Sequence, residues 1–279
     1  MTFSVAAADP ITGDVGVAVA SKFLAVGAVV PFARAGSGAV ATQSFADVTF
    51  GVRGLDAMEM GASPSEALKQ LLSADAQRET RQVGLVSSDG TAATFTGSEC
   101  MDWAGGRTGD GFAAQGNILV GRQVVDAMAD AFERSTGQSL ADRLLAALAA
   151  GDAQGGDRRG RQSAALVVAR AGGGYGGNHD RYLDLRVDDH TTPVDELGRL
   201  LSLHRLYFDR PDPASLVEVD TELRAELETI LAGLGRGGDT PTFGERLYGL
   251  VATENLEERW ISPERMDPQV VRFLRQLND

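Results

Sequence analysis

Thr2-Phe3-Ser4-Val5-Ala6-Ala7-Ala8-Asp9-Pro10-Ile11-Thr12-Gly13-Asp14-Val15-Gly16-Val17-Ala18-Val19-Ala20-Ser21 decides the fold. Residues 2–8 form an apolar run that opens on a threonine. The run stops at Asp9-Pro10 and Gly13-Asp14, residues that build turns. It returns over 15–21 with Val15, Val17 and Val19 on one face and Gly16, Ala18 and Ala20 on the other. Small side chains opposite branched ones predict a strand packed on both faces, one of them approached closely by backbone or helix.

Outward from this hairpin, further strands are expected at 26–35 and 38–44. Residues 55–60 are expected to be helical. Ser63-Pro64-Ser65-Glu66 has the form of a capping box with proline in the first turn. Strands are predicted at 82–87 and 91–96, joined across Ser88-Asp89-Gly90, and again at 111–118. Val124, Met128 and Phe132 mark one helix, and Leu140, Leu144, Leu145 and Leu148 a second. Strands follow at 163–170 and 181–187, and Thr192-Pro193 starts a helix reaching about residue 204. Runs of adjacent strands imply antiparallel sheets covered by helix pairs. Two sheets stacked face to face, with helices outside each, account for strands that are apolar on both faces. The expected class is therefore α+β.

Beyond residue 206 the character changes. Residues 209–213 read as a linker and helix start. Leu216, Val219, Leu223, Leu227 and Ile230 form a helical stripe, residues 233–238 a flexible break, and Thr240-Pro241 and Asp267-Pro268 further helix starts. This predicts two domains, 1–206 and a small helical one at 207–279, the latter without strands.

The net charge of −13 disfavours a nucleic-acid partner, because phosphate binding requires a basic face. Cys100 is the only cysteine, which excludes an intrachain disulfide and a thiolate metal cluster. No stretch reaches the roughly 18 apolar residues of a membrane span, and the first residues lack the pattern of a signal peptide. These features predict a cytoplasmic protein without a membrane partner.

Thr2 follows the initiator Met1, which aminopeptidases usually remove ahead of a small residue. The exposed threonine would carry a hydroxyl nucleophile and, in its own α-amine, a general base titrating near ~7.7–8.0. Many chains begin Met-Thr for no catalytic reason, so the residues that follow must decide.

Residues Ser21-Lys22-Phe23-Leu24-Ala25-Val26-Gly27-Ala28-Val29-Val30-Pro31 and Ala41-Thr42-Gln43-Ser44 closely resemble the bacterial family called domain of unknown function 1028. So do Phe95-Thr96-Gly97, Gln115-Gly116-Asn117, and Gly155-Gly156-Asp157 through Arg161-Gln162-Ser163-Ala164-Ala165. The resemblance covers residues 2–204. It implies membership of the N-terminal-nucleophile (Ntn) hydrolase superfamily and a four-layer αββα sandwich. Thr2 would then be the nucleophile of an amidohydrolase acting on a small amide. Resemblance also implies a homo-oligomer; no cofactor is expected, and no residue is assigned to a metal. The tail, through Phe243-Gly244, Tyr248, Glu254-Asn255-Leu256 and the closing helix, is similar to a peptidoglycan-binding-like module, which implies a glycan contact. The alternative is a catalytically silent binding protein that kept the fold, its helical tail docking a partner or a glycan.

Several residues then become site candidates. Ser21 and Lys22 end the second strand of the hairpin, beside the start of the first, and Lys22 there would keep the Thr2 amine neutral by like-charge repulsion. Otherwise Lys22 is a solvated strand-end lysine. Gln43, Gln115 and Asn117 are amides within apolar or small runs that need partners, either a substrate or the sheet ends themselves. Arg161, in the glycine- and arginine-rich loop 155–163, has the fork that binds a carboxylate, with Asp157 placed to orient Arg161 or the α-amine. A solvated surface loop is the other reading. His179 and His190, with Asp180, Asp184 and Asp188, lack metal-ligand spacing and read as an exposed polar strand face.

Overall fold

The structure, a computed structural model, describes residues 2–277. The opening stretch forms the expected hairpin, β1 (Thr2–Asp9) and β2 (Asp14–Ser21), in register from Phe3↔Ala20 to Asp9↔Asp14. Its turn is closed by the Gly13 N–H donating to Asp9 O at 2.8 Å, with Gly13 at φ 79°, where glycine carries no steric penalty. In chain order there follow β3 (Pro31–Arg34), β4 (Gly38–Ser44), α1 (Thr49–Glu59), α2 (Pro64–Ser73), β5 (Arg81–Ser87), β6 (Ala92–Thr96), β7 (Gly105–Gly109) and β8 (Phe112–Asn117). Then come α3 (Gln123–Arg134), α4 (Leu140–Ala153), β9 (Ser163–Ala169), β10 (Arg181–Val187) and α5 (Pro193–Phe208). The last elements are β11 (Val217–Glu218), α6 (Thr221–Gly233), α7 (Phe243–Thr253), β12 (Arg265–Met266) and α8 (Pro268–Gln276).

The chain divides into two compact units between Gly198 and Arg199, so the expected boundary at 206/207 falls within α5, eight residues further on. The first unit is mixed α and β. It holds a six-stranded sheet in the order β10-β9-β2-β1-β8-β7 and a four-stranded sheet in the order β3-β4-β5-β6, with antiparallel neighbours throughout.

Alternation along the strands explains how the sheets are covered. Val15, Val17, Val19, Ala6, Ala8 and Ala113 of the large sheet meet Ala39, Ala41 and Val86 of the small one in a shared apolar cluster. Gly16 is on the opposite face, where a Cβ would stand 3.0 Å from Leu144 Cδ1 of α4. The small residues predicted for that face thus let α4 close onto the sheet. Helices α3 and α4 pack on the six-stranded sheet, and α1 and α2 on the four-stranded one. There Val40, Val83 and Leu85 meet Phe50, Leu55, Leu68 and Leu71. Each such leucine adds about 1.5–3 kcal/mol by leaving water.

The structure departs from the sequence-based expectation in several places. Residues 26–35 do not form one strand: Val26–Ala28 is a 3-10 turn and only Pro31–Arg34 is extended. The turn is pinned by Ser163 Oγ accepting from the Val26 N–H at 3.1 Å, and by Gly27, where a Cβ would stand 2.6 Å from Ala165 Cβ. The helix expected at 55–60 begins six residues earlier and ends at Glu59. Gly51 and Gly54 hid its first turns. A Cβ at Gly51 would lie 2.2 Å from the Phe32 ring, so close packing outweighs the poor helix propensity of glycine. Strand β7 was not anticipated at all. The capping box at Ser63 and Glu66 is present, as is the hairpin across Ser88-Asp89-Gly90.

The second unit has its own core, in which Leu227, Ile230 and Leu231 of α6, Leu247 and Leu250 of α7, and Val270 and Leu274 of α8 pack together. It is not strand-free: Val217↔Met266 and Glu218↔Arg265 form a two-stranded ribbon. Leu216 and Val219 precede the helix, which starts after the Asp220 cap. Residues 209–213 start no helix, and Thr242 rather than Thr240 caps α7. Asp267 caps α8 as expected and pairs with the buried Arg259 guanidinium. Among the described residues, no helix is long and apolar enough to cross a membrane.

Candidate active site

Thr2 begins β1, near the middle of the six-stranded sheet, opposite Asn117 of β8. The strand alternation that sends Ala6 and Ala8 between the sheets places Thr2 and Ser4 on that same face. Thr2 Oγ1 lies 3.2 Å from Ser21 Oγ at the end of β2. The hairpin register thus brings together the two hydroxyls that the sequence put nineteen residues apart.

The amides predicted for the site do converge, but on one another. Ser4 Oγ donates to Gln43 Oε1 at 2.7 Å and accepts from Gln115 Nε2 at 2.7 Å. Gln43 Nε2 donates to Gln82 Oε1 at 2.8 Å and to Thr2 O at 3.2 Å. Asn117 Nδ2 donates to the same Gln82 oxygen at 2.8 Å. Gln82 Nε2 in turn donates to Gly116 O at 2.7 Å and Thr96 Oγ1 at 2.9 Å. Gln43, Gln82, Gln115 and Asn117 are all buried. Gln43 and Gln115 therefore serve the internal cohesion of the two sheets, which was the alternative reading of these amides. The hub of this seam, Gln82, was missed, although it carried the same signal as Gln43: an amide within an apolar strand.

The 155–163 loop meets the end of β2. Asp157 is buried, and its Oδ2 accepts from the Lys22 backbone N–H at 2.7 Å. Asp157 also takes the Arg159 N–H at 2.8 Å and the Arg159 guanidinium at 3.3 Å. Arg161 is held by Asp152 instead, its Nε reaching the two carboxylate oxygens at 2.8 and 3.0 Å. That bond and charge raise the Arg161 guanidinium above its ordinary value. The expectation that Asp157 orients Arg161 is thus corrected, because Asp152, in the last turn of α4, holds the fork. Lys22 Nζ is exposed and donates to Arg161 O at 3.3 Å.

A ring of loops surrounds this end of the sheets. Ser163 Oγ donates to Phe23 O, the Arg158 N–H to Ile118 O, and the Ile118 N–H to Met101 O. Phe23, Leu24, Phe45 and Met101 stand half or more exposed on this ring, at 50%, 60%, 65% and 63%. Within the ring, Thr2 is only 6% exposed. The cavity lined by Phe3, Ser21, Asp152, Asp157 and Arg161 measures about 10 Å³, the space of a single water. A larger cavity, about 640 Å³, runs along β6 and contains none of the predicted site residues.

Away from this end, His179 Nδ1 accepts from the Arg181 N–H at 3.1 Å, and Asp184 pairs with Arg181 and Arg186. Among the described residues no cluster of three or more His, Cys, Asp or Glu is arranged to hold a metal. The Cys100 thiol is buried and donates to Arg81 O at 3.3 Å.

Comparison with known proteins agrees with the motifs. The crystal structure of protein SPO2555 from Silicibacter pomeroyi, itself assigned to DUF1028, is 32% identical and superposes with a TM-score of 0.65. The match covers 73% of this chain and 89% of that one. No curated protein matches. The profile of the family of unknown function DUF1028 matches residues 2–197, beginning at Thr2. The chain belongs to the DUF1028 family.

Proposed function

We propose that this protein is an Ntn-type amidohydrolase of the four-layer αββα kind, with Thr2 as its nucleophile once Met1 is removed. Met1 lies outside the described residues. The observation that carries the reading is the position of Thr2. It starts a central strand of one of two stacked sheets, with its Oγ1 3.2 Å from a second hydroxyl, at the end where the polar seam and the 155–163 loop meet.

While Met1 is attached, the Thr2 nitrogen is an amide and accepts no proton. Its removal creates an amine that can. In the proposed reaction Thr2 Oγ1 bonds to the substrate carbonyl carbon and its proton passes to the Thr2 amine. The carbonyl oxygen takes up the negative charge. Collapse breaks the carbon–nitrogen bond, and the ammonium returns the proton to the leaving amine. Water then hydrolyses the ester on Thr2, regenerating the hydroxyl. Ser21 orients Oγ1. Asn117, cross-strand from Thr2, has a second amide hydrogen beyond the one given to Gln82, and is assigned to the oxyanion, a role worth roughly 3–4 kcal/mol. Lys22 and Asp157 act by fixing the loop behind Ser21.

The alternative, a silent binding protein, is favoured by the burial of Thr2, which is only 6% exposed. A panel of amide-bearing metabolites tests the two readings. Turnover by the chain lacking Met1, lost in Thr2→Ala, supports the hydrolase, and turnover that survives in Thr2→Ala moves the chemistry elsewhere. Ligand binding without turnover in either form supports the second reading. For the C-terminal unit we propose a docking role toward a glycan. Co-sedimentation of the intact chain with insoluble peptidoglycan supports it, and a chain left in the supernatant contradicts it.

A further inference from the structure

We propose that the open edge of β6 is a binding site for an extended, apolar peptide segment carrying a carboxylate, seated as a fifth strand of the four-stranded sheet. β6 is the last strand of that sheet. In an antiparallel ladder, bonded and non-bonded pairs alternate. The Ser87 N–H donates to Thr91 O and the Gly97 N–H to Arg81 O, which fixes the bonded pairs as Leu85↔Ala93 and Val83↔Phe95. The N–H and C=O groups of Ala92, Thr94 and Thr96 therefore face outward. Such an edge is a template for another strand unless it is blocked. No proline, lysine or bulge blocks this one: β6 reads Ala-Ala-Thr-Phe-Thr.

A wide, open groove lies beside the edge. The cavity of about 640 Å³ has residues 92–95 of β6 as its floor, α2 as one wall and Thr108 of β7 as the other. Leu68, Leu72 and Phe95 line the α2 side, and alternate side chains of an added strand would face them, the rest facing β7.

Charge decides what kind of segment fits. Lys69 is one of two lysines in a chain of net charge −13. It lies exposed on the rim and has no ion-pair partner among the described residues. Arg78 and Glu79, which pair with each other at 3.4 Å, line the same cavity, leaving it net positive. A second copy of this chain docking edge to edge about a two-fold axis would bring its own Lys69 to the same rim, like charge against like. A partner with a carboxylate is complementary instead.

The test is a selection of displayed random heptapeptides on the immobilised full-length chain, followed by synthesis and labelling of an enriched peptide. Enriched sequences are expected to alternate apolar residues and to carry Asp or Glu. Bound peptide should slow hydrogen exchange at the Ala92, Thr94 and Thr96 amides. Lys69→Glu should weaken binding at least tenfold. Thr94→Pro, which deletes an outward N–H, should abolish it in a chain that keeps a cooperative thermal unfolding transition, while Thr94→Val, which keeps that N–H, should still bind. The proposal is overturned if no peptide is enriched, if binding leaves the three amides unchanged, or if Lys69→Glu has no effect. It is equally overturned if the peptide-free chain is a dimer whose β6 amides are already protected, since a second copy then holds the edge.

Discussion

The layer between the two sheets has two ends made from the same strands, and they are built from opposite chemistry. At the far end of β1, Ala6 and Ala8 pack with Val15, Val17, Ala39 and Val86 in an apolar cluster. At the near end, Thr2, Ser4, Gln115 and Asn117 of the large sheet face Gln43 and Gln82 of the small one, joined by hydrogen bonds of 2.7–3.2 Å. Hydrophobic burial and close packing hold the first end. The second is held only while each amide keeps its partner, because a buried amide without one costs about 1–3 kcal/mol. A protein that needed only a stable sandwich could have continued the apolar pattern to both ends. The proposed hydrolase uses this polar end to hold Thr2 in place.

The comparison is broken most severely at Thr2. Thr2→Ala is expected to lower turnover by about 10⁴-fold or more, as loss of a nucleophile does, with the melting temperature nearly unchanged. A fall in stability without a fall in rate would make Thr2 one more structural member of the seam. Next in size is Gln82→Ala, which strips partners from Gln43, Asn117 and Gly116. It is expected to cost about 3 kcal/mol, read as a lower urea midpoint, and to lower turnover as well. Val17→Ala at the apolar end is expected to cost about 2 kcal/mol through lost contacts and a cavity, with turnover per folded molecule unchanged. Equal effects of these two variants on turnover would erase the distinction between the ends.

A smaller effect concerns acid. Arg81, at the seam end of β5, donates from its Nε to Asp75 at 2.7 Å, and this bond holds the Asp75 carboxyl below its ordinary value. A depressed folded value means that the contribution is complete above the unfolded pKa, near 3.8, and is lost as pH falls through the folded one. Asp75→Asn should therefore lower stability at neutral pH and flatten the acid limb below about pH 4. An unchanged limb would show that the pair does not anchor this end.

How much could be read from the chain alone follows the same physics. The β1–β2 hairpin was legible because turn formers separate two runs with clear alternation. The α2 capping box was legible because it is local. β7 was not: three of the five residues in Gly105-Gly106-Arg107-Thr108-Gly109 are glycines, and Gly106 answers to a neighbour in the other sheet. A Cβ at Gly106 would meet Thr94 Oγ1 at 2.8 Å. The start of α1 was hidden by Gly51 for the same reason. Of the candidate site, the meeting of Thr2 with Ser21 followed from the hairpin. That Gln43 and Gln115 partner Ser4 and Gln82, and that Arg161 turns to Asp152, depended on sheet stacking and loop closure, which no local pattern encodes.

The most direct test is the intact mass of the protein isolated from its native cell. The account predicts a chain lacking Met1, with Thr2 bearing a free amine as its first residue. A native chain that retains Met1 would leave that nitrogen an amide, unable to accept the proton, and would contradict the account.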